Sequence, residues 1–294
     1  MNNQNLKSKL QQFRYNDDVV SPKKSISNQI SKVTKVHTVK KKLKSVKPQN
    51  EIATRSSSSQ SYPDLQPSLT KDQILLFVGY NPGVESSVRQ HHYAHFTNSF
   101  WKLFNESQLF IKVVNRIEPD YIDKNIKEDE LLKDIMKDGK SSLKPHHDFD
   151  IIKYKIGFTD LVLRCTKTAQ ELSLQEKLDN IPRLIDEFNY SNTSYIILIG
   201  KGIWEMFIKY MTNELNIKKF KLTKLNFTWG EQEINQGERL IEEVRMYNII
   251  LKNLKAKIDN KQVKIFVFPN TSGLVTSLKH HEKLALWNDL VSVI

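Results

Sequence analysis

Asn81 stands at a position suited to holding a small polar reactant. It ends the run Ile74-Leu75-Leu76-Phe77-Val78-Gly79-Tyr80-Asn81-Pro82-Gly83, where apolar residues stop abruptly at Gly-x-Asn-Pro-Gly. Such a run reads as a buried strand closed by a tight turn. In open α/β sheets, ligands bind at the carboxyl ends of strands. A carboxamide donates and accepts hydrogen bonds but cannot take up a proton near neutral pH. Near the other end of the chain, Val263-Lys264-Ile265-Phe266-Val267-Phe268 runs into Pro269-Asn270-Thr271-Ser272-Gly273-Leu274 and repeats the pattern. Other reactive types carry less. His91-His92-x-x-His95 has no complementary Cys or carboxylate pattern, so neither a metal nor a cofactor is expected. Cys165, the single cysteine, has no activating partner in the sequence. A Gly-rich phosphate fingerprint of the usual spacing is absent.

The elements that must position these residues alternate between strand and helix. Strands are expected at 74–80, 158–163, 195–199 and 263–268. Helices are expected at Asn98–Leu109, with Phe100, Leu103, Phe104 and Leu109 inward, and at 173–188, 202–213 and 277–292. This alternation argues an α/β fold with a parallel sheet covered on both faces. Two charged stretches, 111–155 and 231–262, read as surface insertions, the second with a helix around Glu238–Leu254. The folded domain is expected to span 71–294.

Charge is unevenly placed. Net charge is +12, and residues 1–70 hold 13 Lys/Arg against 4 Asp/Glu, or +9, leaving +3 for the rest. This Lys-, Ser-, Gln- and Asn-rich segment reads as a disordered basic tail whose natural partners are polyanions. Its cluster around Lys40, Lys41, Lys42 and Lys44 suits a nuclear-import signal or a DNA-gripping arm. A lone cysteine fits a reducing compartment. No apolar run approaches a membrane span, and the first residues do not form a signal peptide.

Taken together, the two strand-ending turns resemble those of the mismatch-specific uracil/thymine-DNA glycosylases, within the uracil-DNA glycosylase superfamily. That family carries Gly-x-Asn-Pro-Gly after its first strand and Asn-x-Ser-Gly-Leu after its last. Between them, residues 91–101 resemble its aromatic pocket segment, and 157–173 resemble its Thr-x-Leu-Val-x-Arg-x-Thr…Ala-x-Glu-Leu-Ser block. Trp229-Gly230 is a weaker match. The segments fall in family order across 74–292. The resemblance implies a three-layer α/β/α sandwich with a central, mainly parallel four-stranded sheet.

It also implies roles. The matching Asn holds the attacking water, which makes Asn81 the expected catalytic residue. Because an amide is no base, the path must be dissociative, with the base leaving as an anion. Tyr93 would stack on a flipped base. Gly79, Tyr80, Ser86, His92 and Asn270 would line the pocket. Asn270-Thr271-Ser272-Gly273-Leu274 would form the intercalating loop, Leu274 filling the vacated space, backbone groups near Gly273 and Val275 reading the opposite guanine and Ser272 binding a backbone phosphate. Bacterial relatives place Ser-Arg soon after that Leu; this chain has Val275-Thr276, which puts the grip on the opposite strand in question. No lysine occupies a matched catalytic position, so lyase chemistry is not expected. The implied activity is a monofunctional DNA glycosylase, monomeric and nuclear. It would remove uracil mispaired with guanine from duplex DNA, with thymine and other deaminated or adducted bases as further candidates. A non-catalytic mismatch binder on the same fold is the alternative.

Overall fold

The apolar runs become strands because both faces of each are covered by helices. The computed structural model describes residues 62–237, 240–273 and 278–294. Strands β1 (Leu75–Gly79), β2 (Ile156–Asp160), β3 (Tyr195–Ile199), β4 (Gly230–Glu231) and β5 (Lys264–Phe268) form one sheet in the order β2-β1-β3-β5-β4. The first four in that order are parallel, and the two-residue β4 adds an antiparallel edge. All residues of β1, β2 and β3 are buried, which explains their unbroken apolar character. The four expected strands are present, and β4 raises the count to five. Leu161 and Val162, expected inside the second strand, instead follow β2 as a loop. Their N–H groups donate to the carbonyls of Gly79 and Tyr80 at 2.8 and 3.1 Å.

Around the sheet lie helices α1 (Val84–Arg89), α2 (Phe100–Glu106), α3 (Leu109–Ile117), α4 (Leu174–Ser191), α5 (Lys201–Glu214), α6 (Glu242–Ala256) and α7 (His280–Val293), with short helices at Tyr121–Asn125 and Glu130–Ile135 between α3 and β2. Helices α2, α3 and α7 pack together as one layer, and α4, α5 and α6 as the other. The single helix expected over 98–109 is split, because Gln108 adopts a left-handed conformation (φ 56°) between α2 and α3. Ser173 starts α4 by accepting the Glu176 N–H at 3.0 Å. Left-handed Asn192 ends it.

The core explains how the layers lock. Phe77 of β1 lies 5.0 Å edge-on to Phe100, 5.6 Å from Phe158 and 5.7 Å from Trp287. One ring therefore ties two strands to α2 and α7, and each such pair adds about 0.5–1.5 kcal/mol beyond area burial. The stretches expected to be surface insertions also contribute to the core. Val113, Val114, Leu132, Ile135, Ile151 and Tyr154 from the first, and Tyr247, Ile250, Leu251 and Leu254 from the second, are buried. Sparse apolar residues face inward while the charges between them stay wet. The fold also begins before residue 71: Leu65 is buried, and Ser68 bridges Phe158 at the edge of β2.

Candidate active site

The chain runs from β1 to β2 on one side and then crosses to β3 on the other, so the loops after β1 and β3 diverge. That divergence opens a crevice at the carboxyl ends of the strands, the usual binding place in such sheets. Asn81 lies there, in the loop after β1. Its Nδ2 donates to Thr166 Oγ1 at 2.7 Å and lies 3.3 Å from the carbonyls of Arg164 and Pro82. Two of these three partners are carbonyls, which only accept, so the orientation of the amide follows from chemistry. The NH2 end is tethered inward. Among the described residues none donates to Oδ1, so the amide presents an acceptor.

The Thr166 segment is itself held against the Asn81 turn. Thr166 N donates to Pro82 O at 3.2 Å, and Arg164 is fixed by a two-pronged contact to Glu176 at 2.8 and 3.0 Å. Glu171 accepts from Thr168 N at 2.9 Å and so caps the short turn over Ala169–Glu171. Cys165 is buried, and burial raises its thiol pKa; this is the opposite of nucleophile activation.

Two residues before Asn81, Gly79 ends β1 and is buried. A Cβ there would sit 2.0 Å from Asp160 Oδ1 and 3.2 Å from the Tyr93 hydroxyl, so only glycine lets both groups reach this spot. Tyr93 has left-handed backbone (φ 54°), a strained choice for an aromatic residue that recurs at functional sites. Its ring lies flat on Phe100, 3.9 Å between centroids and 5° between planes, which anchors it to the core. Burial, then the Asp160 charge, pushes its phenol well above the usual range. The buried hydroxyl has no partner among the described residues.

Asp160 was not singled out from sequence. Burial raises its carboxyl from 3.8 to about 6, while the His92 ring and the Arg183 guanidinium pull the other way. Arg183 donates to the carbonyls of Asp160 and Leu161 at 2.7 and 3.0 Å, clamping the end of β2. The available signal was an acidic residue inside an apolar strand run.

The remaining expected residues divide. His92 is 2% exposed, and its backbone N–H and Nδ1 meet Asp148 Oδ2 at 2.7 and 2.8 Å. His91 Nδ1 and Phe149 N reach the other Asp148 oxygen at 2.9 Å each. Four donors thus satisfy one buried carboxylate. His92 Nε2 is buried and has no hydrogen-bond partner among the described residues. Ser86 Oγ accepts the Ala94 N–H at 3.1 Å, so it fastens the aromatic segment. The Tyr80 ring lies against Gly202, 3.2 Å from where its Cβ would be, and 6.0 Å from Lys177, turned toward α4 and α5. The Gly79 and Tyr80 carbonyls already accept from Leu161 and Val162. His95 Nδ1 bonds Thr97 at 2.9 Å, so the three histidines do not converge on a point. A separate group, Asp134, His146 and His147, brings ligand atoms within 4.8 Å. There His147 Nδ1 accepts from Lys144 N at 2.9 Å, which leaves the proton on Nε2, facing Asp134.

Asn270 follows β5. Its Oδ1 accepts the Ser272 N–H at 2.7 Å, and its carbonyl accepts from buried Lys283 Nζ at 2.7 Å. Gly273 abuts the 91–99 segment: a Cβ there would lie 2.6–2.9 Å from Thr97 atoms. Leu274, Val275 and the lysines at 40, 41, 42 and 44 lie outside the described residues.

Comparison with known proteins follows the same outline. The sequence profile described as uracil DNA glycosylase superfamily matches residues 67–291. A G/U mismatch-specific uracil DNA glycosylase of Schizosaccharomyces pombe is 23% identical over 274 residues, which cover 92% of this chain. The match spans 65% of that relative's length.

Proposed function

The chain belongs to the uracil DNA glycosylase superfamily, and from that premise we propose that it hydrolyses uracil mispaired with guanine in duplex DNA. The observation that carries this reading is the Asn81 amide after β1, tethered through Nδ2 to Thr166 and leaving Oδ1 without a donor among the described residues. A glycosylase must extrude its nucleotide before chemistry, at a cost of a few kcal/mol that mispairing lowers. The flipped base then stacks against Tyr93. Asn81 Oδ1 accepts a hydrogen bond from a water and holds it near the sugar C1′.

The C1′–N bond breaks first, and its electron pair leaves with the base as an anion. The oxocarbenium-like sugar is then captured by the water, whose proton passes to solvent. The amide orients without deprotonating, so departure of the base carries the barrier, and readily departing bases such as uracil are favoured. The product is an abasic site, with no lysine adduct. Activity on thymine or adducted bases, a monomeric state and a nuclear address belong to the same proposal. Arms with G·T and etheno-cytosine, sedimentation, and imaging of a tagged chain read them out.

The test is incubation with labelled duplexes containing G·U or A·U, followed by alkali cleavage. Wild type is expected to cut G·U. Asn81→Ala is expected to bind the same duplex while cutting about a thousandfold more slowly, the upper range for a lost polar group at the reacting centre. Binding with no cleavage by wild type would favour a non-catalytic mismatch binder.

A further inference from the structure

Phe96 is 91% exposed, whereas the next most exposed large apolar side chains among the described residues reach 62%. Single exposed apolar residues are ordinary on protein surfaces, but this one sits on a rigid mount. His95 to Asn98 form a tight turn closed by Asn98 N donating to His95 O at 2.8 Å. The Thr97 hydroxyl and N–H both reach His95 Nδ1, at 2.9 and 3.3 Å. The Phe96 ring lies 4.8 Å from the His95 ring at 25°. Asn98 Oδ1 then accepts the Phe100 N–H at 2.9 Å, joining the turn to α2. The loop entropy of this aromatic tip is thus already lost before any partner arrives.

Its neighbours say what partner fits. Thr97 touches Gly273, and Ser99 donates to Thr271 O through both N–H (2.9 Å) and hydroxyl (3.1 Å). The turn is therefore a buttress of the Thr271–Gly273 loop, and Leu274 is the next residue along that loop. Three residues before Phe96, Tyr93 of the same segment brings its hydroxyl to within 3.2 Å of where a Gly79 Cβ would lie, at the end of β1. An exposed aromatic face on the segment that carries Tyr93 matches the chemistry of a nucleobase stack. Aromatic faces accept any base, and apolar side chains wedge between base steps.

Building on the glycosylase reading above, we propose that Phe96 is a second DNA-inserting side chain. Its ring stacks on the base pair flanking the extruded nucleotide, beside the Thr271–Gly273 segment that its turn supports. The experiment uses the full chain as wild type, Phe96→Ala and Phe96→Trp. Each is titrated against a G·U duplex carrying a non-hydrolysable 2′-fluoro-deoxyuridine, with 2-aminopurine beside the lesion to report unstacking, and each is assayed for cleavage of ordinary G·U.

Phe96→Ala is expected to bind about tenfold more weakly, as loss of one base–aromatic stack does, and to blunt the 2-aminopurine signal. Phe96→Trp should retain both, and melting temperature should not move. Equal binding and equal 2-aminopurine response for Phe96→Ala and wild type, with both cutting G·U, would overturn the inference. So would a lowered melting temperature, which would make the ring structural. A wild type that cuts no duplex would instead overturn the glycosylase reading beneath it.

Discussion

The loops after β1 and β5 begin from the same residue type and finish with opposite polarity. Asn81 donates through Nδ2 to the Thr166 segment and presents Oδ1. Asn270 accepts through Oδ1 from Ser272 N of its own turn, and its Nδ2 has no partner among the described residues. In the proposed reaction an acceptor suits a water nucleophile, and a donor suits a base gaining negative charge. The buried groups behind them also differ in sign. Asp160 lies beside Gly79 under the first loop, and Lys283 holds the Asn270 carbonyl under the second. Burial disfavours the charge on both, raising the acid and lowering the amine. The lesson is that an amide's function is set by whichever of its ends the fold consumes.

The contrast can be broken at either loop. The largest effect is the loss of cleavage in Asn81→Ala described above, because it removes the proposed water-holding acceptor itself. Next comes the acid behind the first loop. The folded Asp160 carboxyl, raised from 3.8 to about 6, holds its proton more tightly than in the unfolded chain. Stability from this group is therefore full below about pH 4, falls as pH rises toward 6, and stays low above. Asp160→Asn should then be more stable than wild type at pH 7 by about 3 kcal/mol, and nearly equal to it at pH 4. Urea unfolding at both values checks this, and an equal gap at both would remove the titration as its cause.

Asn270→Asp tests the second loop. It keeps the acceptor for Ser272 N while replacing the donor with a carboxylate oxygen. Single-turnover cleavage should slow about a hundredfold, as for the loss of a donor to developing charge. A wild-type rate would show that Asn270 only shapes its loop. The smallest effect is expected from Thr166→Val, which removes the 2.7 Å partner of Asn81 Nδ2 but keeps the shape. Cleavage should fall about tenfold, the value of one net hydrogen bond, with binding unchanged and Thr166→Ser restoring the rate. If serine and valine behave alike, the tether does not orient the amide.

Much of the architecture was legible because its signals are local. Continuous apolar runs ended by Gly-x-Asn-Pro-Gly and Pro-Asn-Thr-Ser-Gly marked β1 and β5 and placed Asn81 and Asn270 at strand ends. The helix over 98–109 was less legible, since a left-handed Gln108 leaves no compositional trace. The stretches 111–155 and 231–262 misled for a related reason: their charges outnumber the few inward residues, such as Ile135 and Leu251, that join them to the core.

By itself, the sequence determined the family, the four parallel strands in their order along the chain, and the amide in the turn after the first strand. Contacts across the fold decided the rest. Thr166 reaches Asn81 from 85 positions away, Asp148 collects His92 from 56 away, and Thr271 meets Ser99 from 172 away. Which end of an amide is consumed, whether a carboxyl loses its water and whether a phenylalanine is left bare all depend on neighbours that only folding supplies.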